Sequence, residues 1–175
     1  MSSSYSTYNI RFYSNDTIEK LAEELLTYTG FLNKGSIDIV QLAKELGLNV
    51  FTADLGGRDG YIKFSDGERS IYVSNAVSKT RKRFTIAHEL AHYLLHRNIL
   101  EQAGGSVLYR GEEGDYAESQ ANQCAAALLM PKSLVEKYYN ELNVANSVKT
   151  TILANIFDVS VEAMYIRLQT LGLVG

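Results

Sequence analysis

One stretch constrains this chain more than any other: Arg81-Lys-Arg-Phe-Thr-Ile-Ala-His88-Glu89-Leu-Ala-His92-Tyr-Leu-Leu-His96. Phe84, Ala87, Ala91, Leu94 and Leu95 recur at helical spacing, so the segment reads as a helix. His88 and His92, at i and i+4, then stand one turn apart on the same face and can hold a single metal ion. Glu89 sits beside them and can take a proton from a water on that ion without being a ligand itself. Zinc brings such a water to a pKa of about 7, so hydroxide is available at neutral pH for attack on a carbonyl. The chain's three histidines all fall within nine residues on one stripe, a pattern chance rarely produces. His96 continues the stripe at i+8, two turns from His88, and reads as a surface or second-layer histidine rather than a ligand.

Two histidines do not complete a catalytic zinc site, which takes three protein ligands and leaves a position open. No fourth histidine exists and Cys124 is the only thiol, so the third ligand is expected to be a carboxylate. Downstream candidates are Glu101, Glu112, Glu113, Asp115 and Glu118. Glu118 is preferred on helix geometry. Asp115 can cap a helix running to about Met130, on which Glu118, Ala121, Asn122 and Ala125 share a face whose small residues permit close approach to the His helix. The competing reading is a capping box, Asp115-x-x-Glu118, in which Glu118 only closes its own helix.

The rest of the chain bounds the fold. At 175 residues, 46% of them hydrophobic, it can bury a substantial core and is too apolar to be disordered. Seventeen Lys and Arg against 20 Asp and Glu give a net charge of -3, which disfavours nonspecific nucleic-acid binding. No apolar run approaches the roughly 18–20 residues that span a bilayer. The polar start lacks the pattern of a secretory signal, and a single cysteine fits a reducing cytoplasm. Asp16-Thr-Ile-Glu19 has capping-box spacing ahead of a helix that Gly30 would stop, and a second helix is expected over 37–46 before Gly47. From 48 to 74, short strands alternate with Gly56-Gly57, Asp59-Gly60 and Asp66-Gly67, which reads as a small antiparallel sheet. The remainder is helical, with a break around 104–114. The expectation is a mostly helical α+β fold with a three-stranded antiparallel sheet. Its parts are a polar tail over 1–15, the metal-bearing domain over 16–140, and a helical pair over 141–175 packed on the core.

At the His helix the sequence resembles the ImmA/IrrE family of metallopeptidases. The resemblance runs through Arg83-Phe-Thr-Ile-Ala-His88-Glu89-Leu-Ala-His92-Tyr-Leu-Leu-His96 and again through Glu118-Ser-Gln-Ala121-Asn122-Gln-Cys-Ala-Ala-Ala-Leu-Leu-Met130-Pro131. Ile39-Val-Gln-Leu-Ala-Lys-Glu-Leu-Gly47, the Asp59-Gly60 turn and the C-terminal Leu153–Leu168 stretch also resemble it, so coverage is roughly 37–172. The resemblance implies a zincin-like core of the gluzincin type, with His88, His92 and Glu118 as ligands and Glu89 as general base. It implies zinc as the cofactor, with manganese as the alternative ion. It also implies a protein substrate, an Xre-like helix-turn-helix repressor of a mobile element or stress regulon. Cys124 stands where the family commonly has Phe; a small buried Cys is expected to be inert.

Other features are weaker. The strand Ile71-Tyr72-Val73 is read either as a core strand or as an edge that could bind a substrate backbone by β-addition. Any of Tyr72, Tyr93, Tyr109 or Tyr116 could donate to an oxyanion. The helical pair around Asp158-Val159-Ser160 has the size of a DNA-reading helix-turn-helix. Over 141–175, however, Lys149 and Arg167 face Glu141, Asp158 and Glu162, so direct DNA binding is disfavoured and packing or a protein contact preferred. Lys79, Arg81, Lys82 and Arg83 read as a solvated basic face. The alternative function is a non-proteolytic regulator with a closed structural metal site, binding a repressor or DNA through its C-terminal helices.

Overall fold

The computed structural model describes residues 11–32, 35–65, 67–105 and 112–175, with the backbone alone at 112 and 113. In chain order the elements are α1 (Asn15–Tyr28), α2 (Ile39–Glu45), β1 (Asn49–Ala53), β2 (Gly60–Ser65), β3 (Glu68–Ser74), α3 (Lys79–Ala103), α4 (Glu112–Leu129), α5 (Lys132–Glu141), α6 (Asn146–Phe157) and α7 (Val161–Thr170). The class is mostly helical α+β, as the sequence implies. The polar residues before Arg11 and Tyr109 lie outside the described residues.

The first helix starts differently from its expected box. Ser14, not Asp16, caps α1 by accepting from the Thr17 amide. Glu19 does not reach back to the helix start. Its two carboxylate oxygens take both terminal nitrogens of Arg167 on α7, and Arg167 Nε donates to the Met130 carbonyl at 3.0 Å. One buried guanidinium therefore joins α1, α7 and the end of α4. Gly30 does end the helix, in the left-handed region at φ 76°, and Phe31 N bonds back to Leu26 O at 2.8 Å.

The sheet departs from the antiparallel expectation. Its order is β1-β3-β2, with β2 antiparallel and β1 parallel to β3. The Gly56-Gly57 turn therefore does not close a hairpin; the chain passes beyond β3's place, forms β2 as an outer strand, and turns at Gly67 to lay β3 down the middle. Both edges of β3 are paired, so the Ile71-Tyr72-Val73 strand cannot receive a substrate backbone. Ile62, Ile71 and Val73 are buried. On the other face Tyr72 stacks on Tyr61 at 4.9 Å and meets Phe51 at 5.4 Å. The far end of β2 is covered by the chain leaving α3, since Phe64 N donates to Gly104 O at 3.0 Å and Lys63 bridges Gly105. Gly105 needs its bare backbone: at φ 138° a Cβ would run into the Ile62 carbonyl.

The helix α3 is the axis of the molecule, buried on nearly every side from Thr85 to Leu100. Ser78 caps it, and its helical φ/ψ breaks at His96 (φ -124°, ψ 21°). Cations at a helix N-terminus have the wrong sign for the helix dipole. Lys79 and Arg81 stay 77% and 58% exposed, a solvated face as expected, yet each has an acidic partner, and Arg83 is drawn inward. Lys79 pairs with Asp158 at 2.6 Å, Arg81 Nε donates to Asp59 at 2.7 Å, and Arg83 donates to the carbonyls of Ile37 (2.9 Å) and Asp158 (3.0 Å). Arg83 thus ties the turn before α2 and the α6–α7 corner to the root of α3. Asp158 occupies the left-handed region at φ 53°, and its backbone N–H closes α6 on Asn155 O. Leu153, Ala154 and Phe157 of α6 and Met164 and Leu168 of α7 belong to the same buried cluster as Leu90 and Leu128. Among the described residues, no helix is long and apolar enough to cross a membrane.

Candidate active site

Three donor atoms converge where α4 crosses α3. His88 Nε2 and His92 Nε2 lie 3.1 Å apart, and Glu118 places Oε2 at 3.2 Å from the first and Oε1 at 3.2 Å from the second. Donors about 2.0–2.1 Å from a tetrahedral zinc stand roughly 3.3 Å from one another. The triangle therefore has the size a metal needs, and its donor set of two imidazoles and a carboxylate suits a borderline divalent ion. Among the described residues this is the one cluster of three or more such donors.

The small face of α4 permits the crossing. Ala117, Ala121, Cys124 and Ala125 are fully buried toward the core, so α4 can lie close on α3 and bring Glu118 to the histidines. The capping-box reading of Glu118 fails on the helix boundary. The helix α4 already runs from Glu112, so Asp115 lies inside it and Glu118 is not at its third position. Glu101 points elsewhere, to Arg97 Nε at 2.7 Å and to Arg69. Cys124 is buried and its thiol is pushed up to about 12 by that burial, which leaves no thiolate at neutral pH.

Each donor is held in place by a neighbour. His88 Nδ1 donates to Asn122 Oδ1 at 2.9 Å, one turn beyond Glu118 on α4. Burial works to lower the His88 pKa, but the Glu118 hydrogen bond, the nearby Glu89 charge and the Asn122 contact together raise it above the ordinary histidine value. Glu118 responds in the opposite sense: hydrogen bonds from His88 and His92 hold its carboxyl well below the usual range, so it is an anion at every ordinary pH. His92 Nδ1 meets His96 Nδ1 at 3.1 Å, and His96 Nε2 lies 3.2 Å from Gln120 Oε1. His96 is therefore neither on the surface nor a ligand but directly behind one. Burial drives its pKa down to about 4.

The triangle opens into a cleft of about 880 Å³. Glu89, mostly buried, lines it together with Thr85, Phe84 and the segment Gly57–Tyr61 that leads into β2. A second, more apolar cavity of about 600 Å³ adjoins it between α1, α3, α4 and α7, sharing Arg81, Phe84 and Asn122 with the first. Of the four tyrosines considered from sequence, Tyr72 stacks in the sheet, Tyr93 packs on Phe64 and Tyr116 on Phe12. Among the described residues, the tyrosine that lines the cleft is Tyr61. Its signal was present in the Asp59-Gly60 turn beside it, but only the sheet order shows that this strand is the edge next to the histidines. Asn122, Gln120 and His96 were equally out of reach as a set, since their contacts depend on how closely α4 lies on α3.

Comparison with known proteins places the chain in a family. The family model of the IrrE N-terminal-like domain matches residues 43–169. The radiation response metalloprotease IrrE of Deinococcus deserti is 34% identical over 94 residues, covering 51% of this chain and 32% of that protein. The protein of the same name from Deinococcus radiodurans is 33% identical over 90 residues, covering 51% and 27%. The chain thus spans less than two thirds of either curated relative. A Mycobacterium tuberculosis transcriptional regulator superposes with a TM-score of 0.61 over 89% of this chain and 47% of that one, at 20% identity, which shows a shared fold.

Proposed function

Because the chain belongs to the IrrE N-terminal-like domain family, we propose that it is a metal-dependent endopeptidase. Its ligands would be His88, His92 and Glu118, and its general base Glu89. The observation that carries this reading is the donor triangle of 3.1–3.2 Å opening into a cleft that Glu89 also lines. A divalent ion bound there, zinc by preference and manganese as the alternative, supplies a Lewis acid and lowers the pKa of a water. The chain's own residues do the rest. The Glu89 carboxylate takes the proton of the attacking water and hands it to the leaving amine. Asn122 fixes the ring of His88, and Glu118 stays anionic throughout. The edge at Gly60–Tyr61 offers backbone and a phenol near the cleft.

A polypeptide substrate fits the two adjoining cavities better than a small molecule, because the apolar one can take a side chain next to the scissile bond. We assign the substrate class as a regulatory protein, in particular an Xre-like helix-turn-helix repressor. Direct DNA binding is disfavoured because the two cations of the C-terminal pair are already engaged. Lys149 Nζ donates to Tyr139 O at 2.9 Å, and Arg167 pairs with Glu19. The alternative of a closed structural metal site calls for a fourth protein donor, and the described cluster has three.

The test has two arms. Native mass spectrometry of zinc-loaded, desalted wild type and Glu118→Gln should show one retained metal in the first and loss or sharp weakening in the second. Incubation of the loaded chain with a helix-turn-helix repressor, and with unfolded casein as a generic substrate, should yield fragments by intact mass that Glu89→Gln does not give. Retention of zinc by Glu118→Gln, or equal fragmentation by Glu89→Gln, overturns the assignment.

A further inference from the structure

Behind His92 the hydrogen bonds continue in a line that the metal reading alone does not use. His92 Nδ1 faces His96 Nδ1 at 3.1 Å, and His96 Nε2 faces the Gln120 amide at 3.2 Å. The Gln120 amide in turn lies against the backbone of Arg11 and Tyr13, the segment just before α1. His92, His96 and Gln120 are all buried, with 5%, 3% and 2% of their surface exposed. The break in α3 falls at His96 itself.

Two nitrogens facing each other in neutral imidazoles cannot both carry a proton, so the line has two self-consistent polarities. In one, the Gln120 amide nitrogen donates to His96 Nε2 and to Arg11 O (3.3 Å), and its oxygen accepts from Tyr13 N at 2.7 Å. His96 then carries its proton on Nδ1 and donates to His92, whose own proton sits on Nε2 toward Glu118. In the other, the amide is turned over. Its oxygen accepts from His96 Nε2–H, its nitrogen keeps only a 3.5 Å contact to Tyr13 O, and the Tyr13 amide loses its acceptor. His96 then accepts from His92 Nδ1–H, and His92 Nε2 turns an unprotonated lone pair toward the donor triangle, as ligation requires.

Only the second polarity leaves His92 able to ligate. We infer that metal loading reverses the hydrogen-bond line His92–His96–Gln120 and thereby loosens the Arg11–Tyr13 segment, making His96 a positioning residue that couples the site to the start of the chain. Proton count is conserved. His92 releases its Nε2 proton to solvent and takes the Nδ1 proton from His96, which regains one from solvent at Nε2, so neither ring changes charge. Coupling is reciprocal: whatever draws residues 11–13 off Gln120 favours the ligating tautomer and tightens metal binding. This inference rests on the metal reading above.

The experiment is long-range ¹H–¹⁵N correlation of the histidine rings in the untagged, ¹⁵N-labelled chain, metal-free and zinc-loaded, with zinc occupancy checked by native mass spectrometry. Three histidines give three rings, and His96→Asn identifies one of them. The expected result is Nδ1–H at His96 without metal and Nε2–H with it. Alongside, the Tyr13 amide should exchange with deuterium roughly fivefold faster in the loaded chain, the weight of one hydrogen bond. In Gln120→Glu, which can only accept, His96 should show Nε2–H in both states and zinc should bind more tightly. Bound zinc with an unchanged His96 tautomer overturns the relay and leaves the peptidase reading standing. Absence of bound zinc overturns both.

Discussion

Glu89 and Glu118 stand in one cleft, and their neighbours give them different work. Glu118 receives hydrogen bonds from two imidazoles and stays ionised, which suits a ligand; Glu89 lines the cleft one residue from His88 and is not one of the three converging donors. Replacing Glu89 by Gln should therefore leave one zinc per chain in native mass spectrometry while hydrolysis falls by at least about a hundredfold. His96 yields a prediction with a definite sign. Its pKa is about 4 in the folded chain against 6.5 when unfolded. Between those values the unfolded chain binds more protons, so the contribution is present above pH 6.5 and is lost as pH falls toward 4. The lost stability amounts to about 3 kcal/mol at the acid end. Urea unfolding of the EDTA-treated chain at pH 4.5, 5.5 and 6.5 should show a steeper acid loss in wild type than in His96→Asn. Equal slopes would mean that His96 titrates normally. His88, Glu89 and His92 were legible in the sequence because i and i+4 spacing is a local property. The supports Asn122 and Gln120 were not, because a one-dimensional pattern does not say which helix lies on which.

At the scale of elements, local punctuation was read well and pairing was not. Gly30 and Gly47 end their helices as expected, and Gly67 turns β2 into β3. The parallel pairing of β1 with β3 carries no local signature, since it depends on β2 being set down outside before β3 returns. The same holds for Glu19. Its spacing from Asp16 imitates a cap, yet its partner is 148 positions away. That pair sets up a prediction about how the C-terminal helices are held. Removing Arg167 alone leaves Glu19 and the Met130 carbonyl without their buried cation, so Arg167→Ala should cost about 3 kcal/mol in urea unfolding. Replacing both partners with Met should cost much less, because apolar residues of similar volume do not strand a charge. If both variants lose the same stability, the contribution of Arg167 is packing and not the ion pair.

Across the whole molecule, the question is whether the metal builds the fold or is received by it. The hydrophobic cluster draws on every helix from α1 to α7 and on β2 and β3. The donor triangle sits at the edge of that cluster, with Glu118 half exposed. A chain of this size with such a core does not need a metal staple, in contrast to small domains that unfold without their ion. The EDTA-treated chain should therefore still unfold cooperatively, and free zinc at about a thousand times its dissociation constant should add about 4 kcal/mol by mass action. His88→Ala should abolish that increment while its metal-free stability stays near wild type, because the His88 side chain lies at the cleft wall and its principal partners, Asn122 and Glu118, can turn to solvent. Differential scanning calorimetry with and without zinc measures both quantities in one series. A chain that loses its cooperative transition in EDTA would instead make the ion part of the scaffold, and an ion that holds the scaffold together has no need of an open coordination position or of Glu89 beside it. Cooperative apo unfolding with a zinc-dependent shift keeps both, and it is the behaviour required of a site that must accept a substrate carbonyl without dismantling the helices that carry it.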